Sequence, residues 1–146
     1  MVSFLLDTNV ISEWAKPRPD ANVVAWLAGA DEDRTFVSIL SFAEIARGTE
    51  LLPAGRRRER LARWLREDLA ARFDGRVLGI DWSVAAAWGA IMARRHRLGI
   101  AMSSMDGFFA ATAAAFDLTL VTRNSRDFDK AGIRLHNPWS GESRFA

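Results

Sequence analysis

The segment SFLLDTNVI, residues 3–11, carries the main signal for the fold, because a short apolar run is followed at once by three polar residues, Asp7-Thr8-Asn9, and then by the apolar Val10 and Ile11. Residues 3–6 are predicted to form a buried β-strand that ends at Asp7. A helix is predicted at 11–15 and stops before Pro17 and Pro19. A strand followed directly by a helix is the repeating unit of a parallel sheet.

The same alternation continues along the chain. Further helices are predicted at 20–29, from Ser38 or Ser41 to about 52, at 56–73, at 81–98 and at 106–116. Further strands are predicted at 35–38, 77–80, 118–122 and 133–135. This pattern indicates one α/β domain over residues 1–146, with a central parallel sheet of about four to five short strands and helices on both faces.

The composition limits the kinds of site that the chain can build. It contains no cysteine, which excludes disulfides and thiolate zinc sites and fits a reducing cytoplasm. It contains only two histidines, so a metal site must rest mostly on carboxylates, which suit Mg²⁺ or Mn²⁺. No apolar run approaches the roughly 18 residues of a membrane-spanning helix. We therefore expect a cytoplasmic protein with no membrane partner.

Arginine supplies nearly all of the positive charge, although the formal net charge is only +2. The guanidinium group matches phosphate geometry, so the composition permits a nucleic-acid partner without requiring one. The arginines of segment 56–66 are interspersed with acids and are predicted to form mainly a solvated helix face, with RNA contact as the alternative. Arg123 follows a predicted strand and is the better candidate for contact with a substrate phosphate.

Several acids are expected at the carboxyl ends of strands, where open α/β sheets bind their ligands. Asp7 follows the first strand, Glu44 lies in the helix after the second, and Asp127 follows the later strand 118–122. Asp106 begins the helix before that later strand. Carboxylates that converge repel each other unless a divalent cation neutralises them. Such an ion is suited to hydrolysis of a phosphodiester.

Each of these acids also has a purely structural interpretation. Asp7 could be an ordinary helix N-cap, and Asp106 could stabilise the first turn of its helix. Residues 41–44 form a capping-box pattern in which Glu44 reaches back to the backbone, and the pattern by itself favours this role. Asp127 could cap the short turn around Phe128. These alternatives stay open from the residues alone.

Four motifs together resemble the PIN-domain proteins. They are LLDTNVISE at 5–13, EIARG at 44–48, MD followed by AATA within 105–113, and LVTRNSRDF at 120–128. The closing Asn137-Pro138-Trp139 fits the branch that is similar to VapC and FitB, the toxin halves of bacterial toxin–antitoxin pairs. The motifs cover nearly the whole chain, and their order and spacing are specific.

The resemblance implies a single PIN-like nuclease domain over residues 1–146 that acts as a Mg²⁺- or Mn²⁺-dependent endoribonuclease, the toxin of a type II system. Asp7, Glu44 and Asp106 match the three central acids of the family, and Asp7 and Asp106 are the expected metal ligands. Asn124 stands where the family often has a fourth acid, and Asp127 is expected to complete the catalytic set. Substrate contacts are expected from the polar residues beside these acids, namely Thr8, Asn9, Arg123 and Asn124.

The partners that the resemblance implies are an RNA substrate, a cognate antitoxin, a second copy of the chain in a homodimer, and operator DNA only through the antitoxin complex. The alternative is a non-catalytic PIN-fold module that binds RNA or protein, which the departure at Asn124 keeps open. Phosphoryl transfer through Asp7 is disfavoured because Asn9 stands where a second aspartate would be needed. A metal-free histidine nuclease is disfavoured because His136 fits a structural role.

Overall fold

The structure, a computed structural model, describes residues 1–146 and contains a six-stranded sheet. The strands are β1 (Phe4–Leu6), β2 (Thr35–Ser38), β3 (Val77–Leu78), β4 (Thr119–Val121), β5 (Arg134–Asn137) and β6 (Glu142–Phe145). Their spatial order is β3-β2-β1-β4-β5-β6. The first five strands are parallel, which confirms the predicted sheet, while β6 pairs antiparallel with β5 and was not predicted.

The register of the central strands brings their carboxyl ends to one edge. Leu6 is aligned with Val37 on one side and with Val121 on the other. The next residues of β1 and β4 are Asp7 and Thr122, so both leave the sheet at the same edge. The amide of Asp7 still donates to the carbonyl of Val121 at 2.9 Å, which fixes this junction to the sheet.

Seven α-helices surround the sheet. They are α1 (Thr8–Ile11), α2 (Ala21–Gly29), α3 (Ile39–Glu50), α4 (Arg56–Arg63), α5 (Ala70–Arg72), α6 (Trp82–Arg97) and α7 (Ser104–Ala115). Short 3₁₀ turns occupy Ser12–Ala15, Glu32–Arg34 and Ser125–Phe128, and a π-helical stretch, Trp64–Leu69, joins α4 to α5. None of the helices combines the length and apolar character that crossing a membrane requires.

The start of the helix predicted at 11–15 was wrong. The chain turns into α1 already at Thr8, because the side chain of Asp7 accepts the amide hydrogen bond that begins the helix, and 12–15 continues as a 3₁₀ turn. The predicted helix at 56–73 is continuous, but its middle has the wider π-helical winding.

Two hydrophobic clusters lie on opposite faces of the sheet, because successive strand residues point in opposite directions. Leu5 and Leu120 belong to the cluster that packs α6 and α7. Leu6 and Val121 belong to the cluster that packs α1, α2 and the π-helical stretch. The prediction of helices on both faces is therefore confirmed, and the central strand β1 is buried on each side.

Candidate active site

Asp7 lies at the junction of β1 and α1, with only 8% of its surface exposed. One carboxylate oxygen, Oδ1, accepts from the amide of Thr8 at 2.7 Å, so Asp7 is indeed the N-cap of α1. The other oxygen, Oδ2, accepts from the hydroxyl of Thr122 at 2.8 Å. Capping therefore uses only one of the two carboxylate oxygens, because the second is bound to a residue at the end of β4.

Glu44 lies on α3 with its carboxylate turned towards the start of α1. The Oε1 atom of Glu44 and the Oγ1 atom of Thr8 are 2.6 Å apart, and the same hydroxyl is 2.9 Å from the Oγ atom of Ser41. The N-cap of α3 is Ser38, and Ser41 is buried within the helix. The capping-box interpretation of Glu44 is therefore wrong, since the helix begins earlier and the carboxylate binds a side chain adjacent to Asp7.

Asp106 lies in the first turn of α7 and is partly buried. Its amide donates to the hydroxyl of Ser103, the N-cap residue, at 3.1 Å. The helix therefore already has a cap, and the carboxylate of Asp106 is not needed for one. Gly107, the next residue, is buried against α6, and this close approach fixes where the start of α7 lies.

The pKa of Asp7 is raised to about 6, chiefly because burial penalises its charged form. The hydrogen bonds from Thr122 and Thr8 lower it, while the negative charges of Glu44 and Asp106 raise it further. Two of the three central acids predicted from the sequence, Glu44 and Asp106, thus lie close enough to act on the third, Asp7. They share one electrostatic environment at the edge of the sheet.

Asp106 also has a raised pKa. Burial is again the largest cause, and the negative charge of Asp127 adds to it. The hydrogen bond from Ser103 and the positive charge of Arg95 act in the opposite direction. Asp127 is therefore electrostatically linked to the site through Asp106, although its own side chain is exposed.

The acids suit a cation that is bound by few protein ligands. Mutual repulsion and burial both favour a positive ion near Asp7 and Asp106. No group of three or more Asp, Glu, His or Cys side chains is arranged to hold a metal ion. The residues therefore fit an ion bound by one or two carboxylates and completed by water and substrate oxygens, as is usual for Mg²⁺, rather than an all-protein cage.

Thr122 links the polar residues that follow β1 and β4, and it is fully buried. Its hydroxyl donates to Asp7 and accepts from the amide of Asn124 at 3.1 Å, and the side-chain nitrogen of Asn9 lies 3.4 Å away. The Oδ1 atom of Asn9 accepts from the amide of Arg123 at 3.3 Å. The predicted residues Asn9 and Asn124 are thus brought together by Thr122.

Thr122 directly follows an apolar strand, as Asp7 does, so the carboxyl-end rule places it among the polar residues at this edge of the sheet. No role in the site was predicted for it.

Arg123 and Asp127 lie on the exposed side of this region. The guanidinium of Arg123 lies over the ring of Trp139, 5.4 Å from its centroid, and stays accessible. Asp127 lies within the 3₁₀ turn, whose N-cap position is occupied by Asn124. The interpretation of Asp127 as a cap of that turn is therefore wrong.

A groove of about 650 Å³ opens beside Thr8 and Glu44. It passes between the segment 12–17, α3 and α4. Its lining includes three cationic side chains and an aromatic ring, namely Lys16, Arg57, Arg60 and Trp64. The acids are thus continuous with a surface that carries positive charge.

Comparison with known proteins matches residues 4–133 to the PIN domain family. Toxin FitB of Neisseria gonorrhoeae is 37% identical over 135 residues, which covers 92% of this chain and 97% of FitB. VapC ribonuclease Y4jK of Sinorhizobium fredii is 35% identical over 135 residues, which covers 92% of this chain and 96% of that protein.

Solved structures give the same result. FitAcB from Neisseria gonorrhoeae superposes with a TM-score of 0.88 at 37% identity, covering 93% of this chain and 98% of the matched one. DNA-bound VapBC from Salmonella typhimurium superposes with a TM-score of 0.77 at 27% identity, covering 94% of this chain and 99% of the matched one. The resemblance suggested by the four motifs is confirmed, and the chain belongs to the PIN domain family.

Proposed function

We propose that this chain is a metal-dependent endoribonuclease and the toxin component of a type II toxin–antitoxin system. The observation that carries the proposal is the buried carboxylate of Asp7, coupled to Glu44 and Asp106 at the carboxyl ends of parallel strands. The names of the relatives FitB and VapC ribonuclease Y4jK support it. We treat residues 1–146 as one nuclease domain, because β6 belongs to the same sheet as β1.

Asp7 and Asp106 would hold Mg²⁺ or Mn²⁺. When bound, such an ion neutralises the carboxylates and supplies Lewis acidity towards a phosphodiester. Glu44 is a further ligand or orients the attacking water, and the hydroxyl of Thr8 holds its carboxylate in place. Asp127 contributes its negative charge, which raises the pKa of the neighbouring Asp106. Water attacks phosphorus, the bond to the 3′ oxygen breaks, and the products carry a 5′ phosphate and a 3′ hydroxyl.

The substrate contacts follow from the residues around Thr122. Arg123 presents an accessible guanidinium, which can bind a phosphate oxygen pair. Asn9 and Asn124 flank it, and Thr8 lies on the other side of Asp7. These four residues thus lie around Asp7 and are proposed to orient the RNA backbone.

The direct test is cleavage of RNA by the purified chain with Mg²⁺ or Mn²⁺, with and without EDTA. We expect cleavage that EDTA abolishes and that Asp7→Asn or Asp106→Asn reduces by at least about 100-fold. Asp74→Asn, at an exposed acid outside the site, is the matched control and should leave the rate unchanged. Full activity in EDTA, or in Asp7→Asn, would contradict the assignment.

The proposed protein partners are a cognate antitoxin and a second copy of the chain, with operator DNA bound only through the antitoxin complex. The support is that the structural relatives are FitAcB and DNA-bound VapBC. Co-expression with the product of a small neighbouring reading frame should yield a co-purifying complex that no longer cleaves RNA. Sedimentation of the free chain should give twice the mass of one chain, and a monomer at all concentrations would contradict the dimer.

A second candidate is a non-catalytic PIN-fold module that binds RNA or a protein. Two observations favour it: Asn124 stands at the fourth acidic position, and the carboxylates do not form a ready-made metal cluster. RNA binding without turnover under any divalent ion would support this candidate over the nuclease.

A further inference from the structure

Arg95, near the end of α6, is a buried cation to which the proposed chemistry gives no role. Only 3% of its surface is exposed. Its hydrogen bonds go to three main-chain carbonyls rather than to a carboxylate. A buried charge is unfavourable unless polar groups compensate it. Here the three carbonyl oxygens compensate the guanidinium, so its position depends on them.

The three carbonyls belong to two separate segments. Nη1 donates to the carbonyls of Asp127, at 3.2 Å, and of Asp129, both in or beside the last 3₁₀ turn. Nη2 donates to the carbonyl of Ala101, at 2.7 Å, in the segment that leads into α7. A single planar group therefore ties together the two segments that carry Asp127 and Asp106.

The chemistry of the guanidinium suits this bridging. It offers donors in a fixed planar arrangement, whereas the ammonium of lysine is a compact point charge. The Nε atom of Arg95 is buried without a partner, so the bridge depends on the two terminal nitrogens. Its positive charge also lies close enough to act on Asp106.

We infer that Arg95 is a positioning residue that fixes the spacing of Asp106 and Asp127 by binding the main chain on both sides. This inference rests on the proposed function only for its catalytic consequence. The mechanical part, one side chain that locks two segments together, stands on the hydrogen bonds alone.

The adjacent residue offers a matched control. Arg94 donates through Nη2 to the carbonyl of Ala131 at 2.7 Å and through Nε to that of Lys130 at 3.3 Å. It therefore anchors the chain just beyond the 3₁₀ turn, with the same chemistry and on the same helix, but none of its hydrogen bonds reaches the segment that leads into α7 and carries Asp106.

Hydrogen exchange of the metal-free protein tests the bridge directly. In Arg95→Lys we expect exchange to accelerate about tenfold or more at the amides of Asp127, Asp129, Asp106 and Gly107, relative to core amides. In Arg94→Lys we expect acceleration only near Ala131, whose amide donates to the carbonyl of Phe128. A uniform change across the chain in Arg95→Lys would indicate general destabilisation and would overturn the inference.

Metal binding and kinetics test the consequence for the site. Displaced supporting residues typically lower metal affinity or activity by about 10–100-fold, so Arg95→Lys should lower Mn²⁺ affinity and kcat by that factor with little change in KM for RNA. Arg94→Lys should leave both unchanged. Equal losses in the two variants, or no loss in Arg95→Lys, would overturn the role of Arg95. If the unmodified chain neither binds Mn²⁺ nor cleaves RNA, the proposed function fails, while hydrogen exchange still decides the bridge.

Discussion

Asp7 is held in a place where its negative charge is unfavourable without a cation. Burial and the neighbouring acids raise the pKa of its carboxyl, while hydrogen bonds from Thr122 and Thr8 only partly offset this. A helix cap alone does not require such an environment, because caps function at the protein surface. The combination is typical of a site that is completed by a positive ion.

The raised pKa of Asp7 predicts how stability depends on pH in EDTA. The pKa of Asp7 in the folded chain, about 6, lies above its ordinary value of 3.8. Its contribution to the free energy of unfolding is therefore fully present below pH 4 and is lost as pH rises through 6, because the folded state then holds a buried charge. The loss amounts to about 3 kcal/mol. Asp7→Asn should therefore be more stable than the unmodified chain at pH 8, by up to that amount, while lacking nuclease activity. Urea denaturation at several pH values measures the difference.

An acid with the opposite shift provides the control. Hydrogen bonds from Ser83 and from the amide of Val84 lower the pKa of Asp81, the exposed N-cap of α6. Asp81→Asn should therefore lose stability at neutral pH, and this deficit should disappear as pH falls. If Asp7→Asn followed the same direction as Asp81→Asn, the inferred environment of Asp7 would be wrong.

The hydroxyl of Thr8 is predicted to position Glu44. Thr8→Val removes the contact of 2.6 Å to the carboxylate but keeps the shape of the side chain. We expect kcat to fall about tenfold or more, the usual effect of removing a group that orients a site residue. Thr8→Ser keeps the hydroxyl and should retain most of the activity. Cleavage assays at saturating Mn²⁺ compare the two, and equal rates would show that the contact is dispensable.

The acids could be predicted from the sequence, whereas their supporting contacts could not. Asp7 follows an apolar strand, and the rule for carboxyl ends then places it at the ligand-binding edge. The contacts of Thr8 with Ser41 and Glu44 depend on how α1 lies against α3, which no local pattern specifies. The bridge made by Arg95 also depends on tertiary packing and was not predicted. An arginine near a helix C-terminus is ordinarily interpreted as a favourable interaction with the helix dipole.

The contact between α6 and α7 helps to determine where Asp106 lies. A Cβ atom at Gly107 would approach the Sδ atom of Met92 to 2.6 Å and the Nε1 atom of Trp88 to 2.8 Å. The two helices thus approach each other closely at position 107, where the side chains of Met92 and Trp88 fill the space that a Cβ atom would need. Asp106 is the preceding residue, so its placement depends on this close approach.

Gly107→Ala is predicted to destabilise the fold by about 1–3 kcal/mol, the usual cost of overpacking. It should also lower nuclease activity at temperatures where the protein stays folded, because the clash with Met92 and Trp88 pushes on the start of α7, next to Asp106. Gly89→Ala is the matched control on α6, since nothing lies within 4 Å of a Cβ there. It should stabilise the fold by about 0.5–1 kcal/mol. Thermal denaturation of both variants decides, and stabilisation by Gly107→Ala would contradict the packing argument.

The elements that the sequence predicts well are those whose burial matches their pattern. The strand predicted at 3–6 and the helix capped by Asp81 agree closely, because a buried parallel strand is apolar and a cap residue marks a helix start. The strand β6 was missed because its residues are largely polar and exposed. It forms by pairing antiparallel with β5 after a turn at Gly141, which has a φ of +80°.

The small net charge of the chain, formally +2, conceals an uneven distribution of its charged side chains. Acids are grouped at the edge of the sheet, whereas Arg57 and Arg60 line the adjoining groove without any ion pair of their own. Other arginines of the same helical segment, Arg63 and Arg66, lie outside this groove. A single strand of RNA held along the groove would thus reach Glu44 with its phosphates near the cations and a base near Trp64.

The double variant Arg57→Glu with Arg60→Glu is predicted to weaken RNA binding while sparing catalysis. For every phosphate that the variant no longer binds, the slope of log affinity against log salt should become shallower by about 0.7, and KM for long RNA should rise. The rate on a dinucleotide, which reaches only the acids, should be unchanged. Arg63→Glu with Arg66→Glu changes the net charge equally on the same helical segment. Only Arg57 and Arg60 line the groove beside Glu44, so only their replacement should weaken RNA binding strongly. Equal weakening in both double variants would mean that RNA binding depends on the overall charge rather than on the groove.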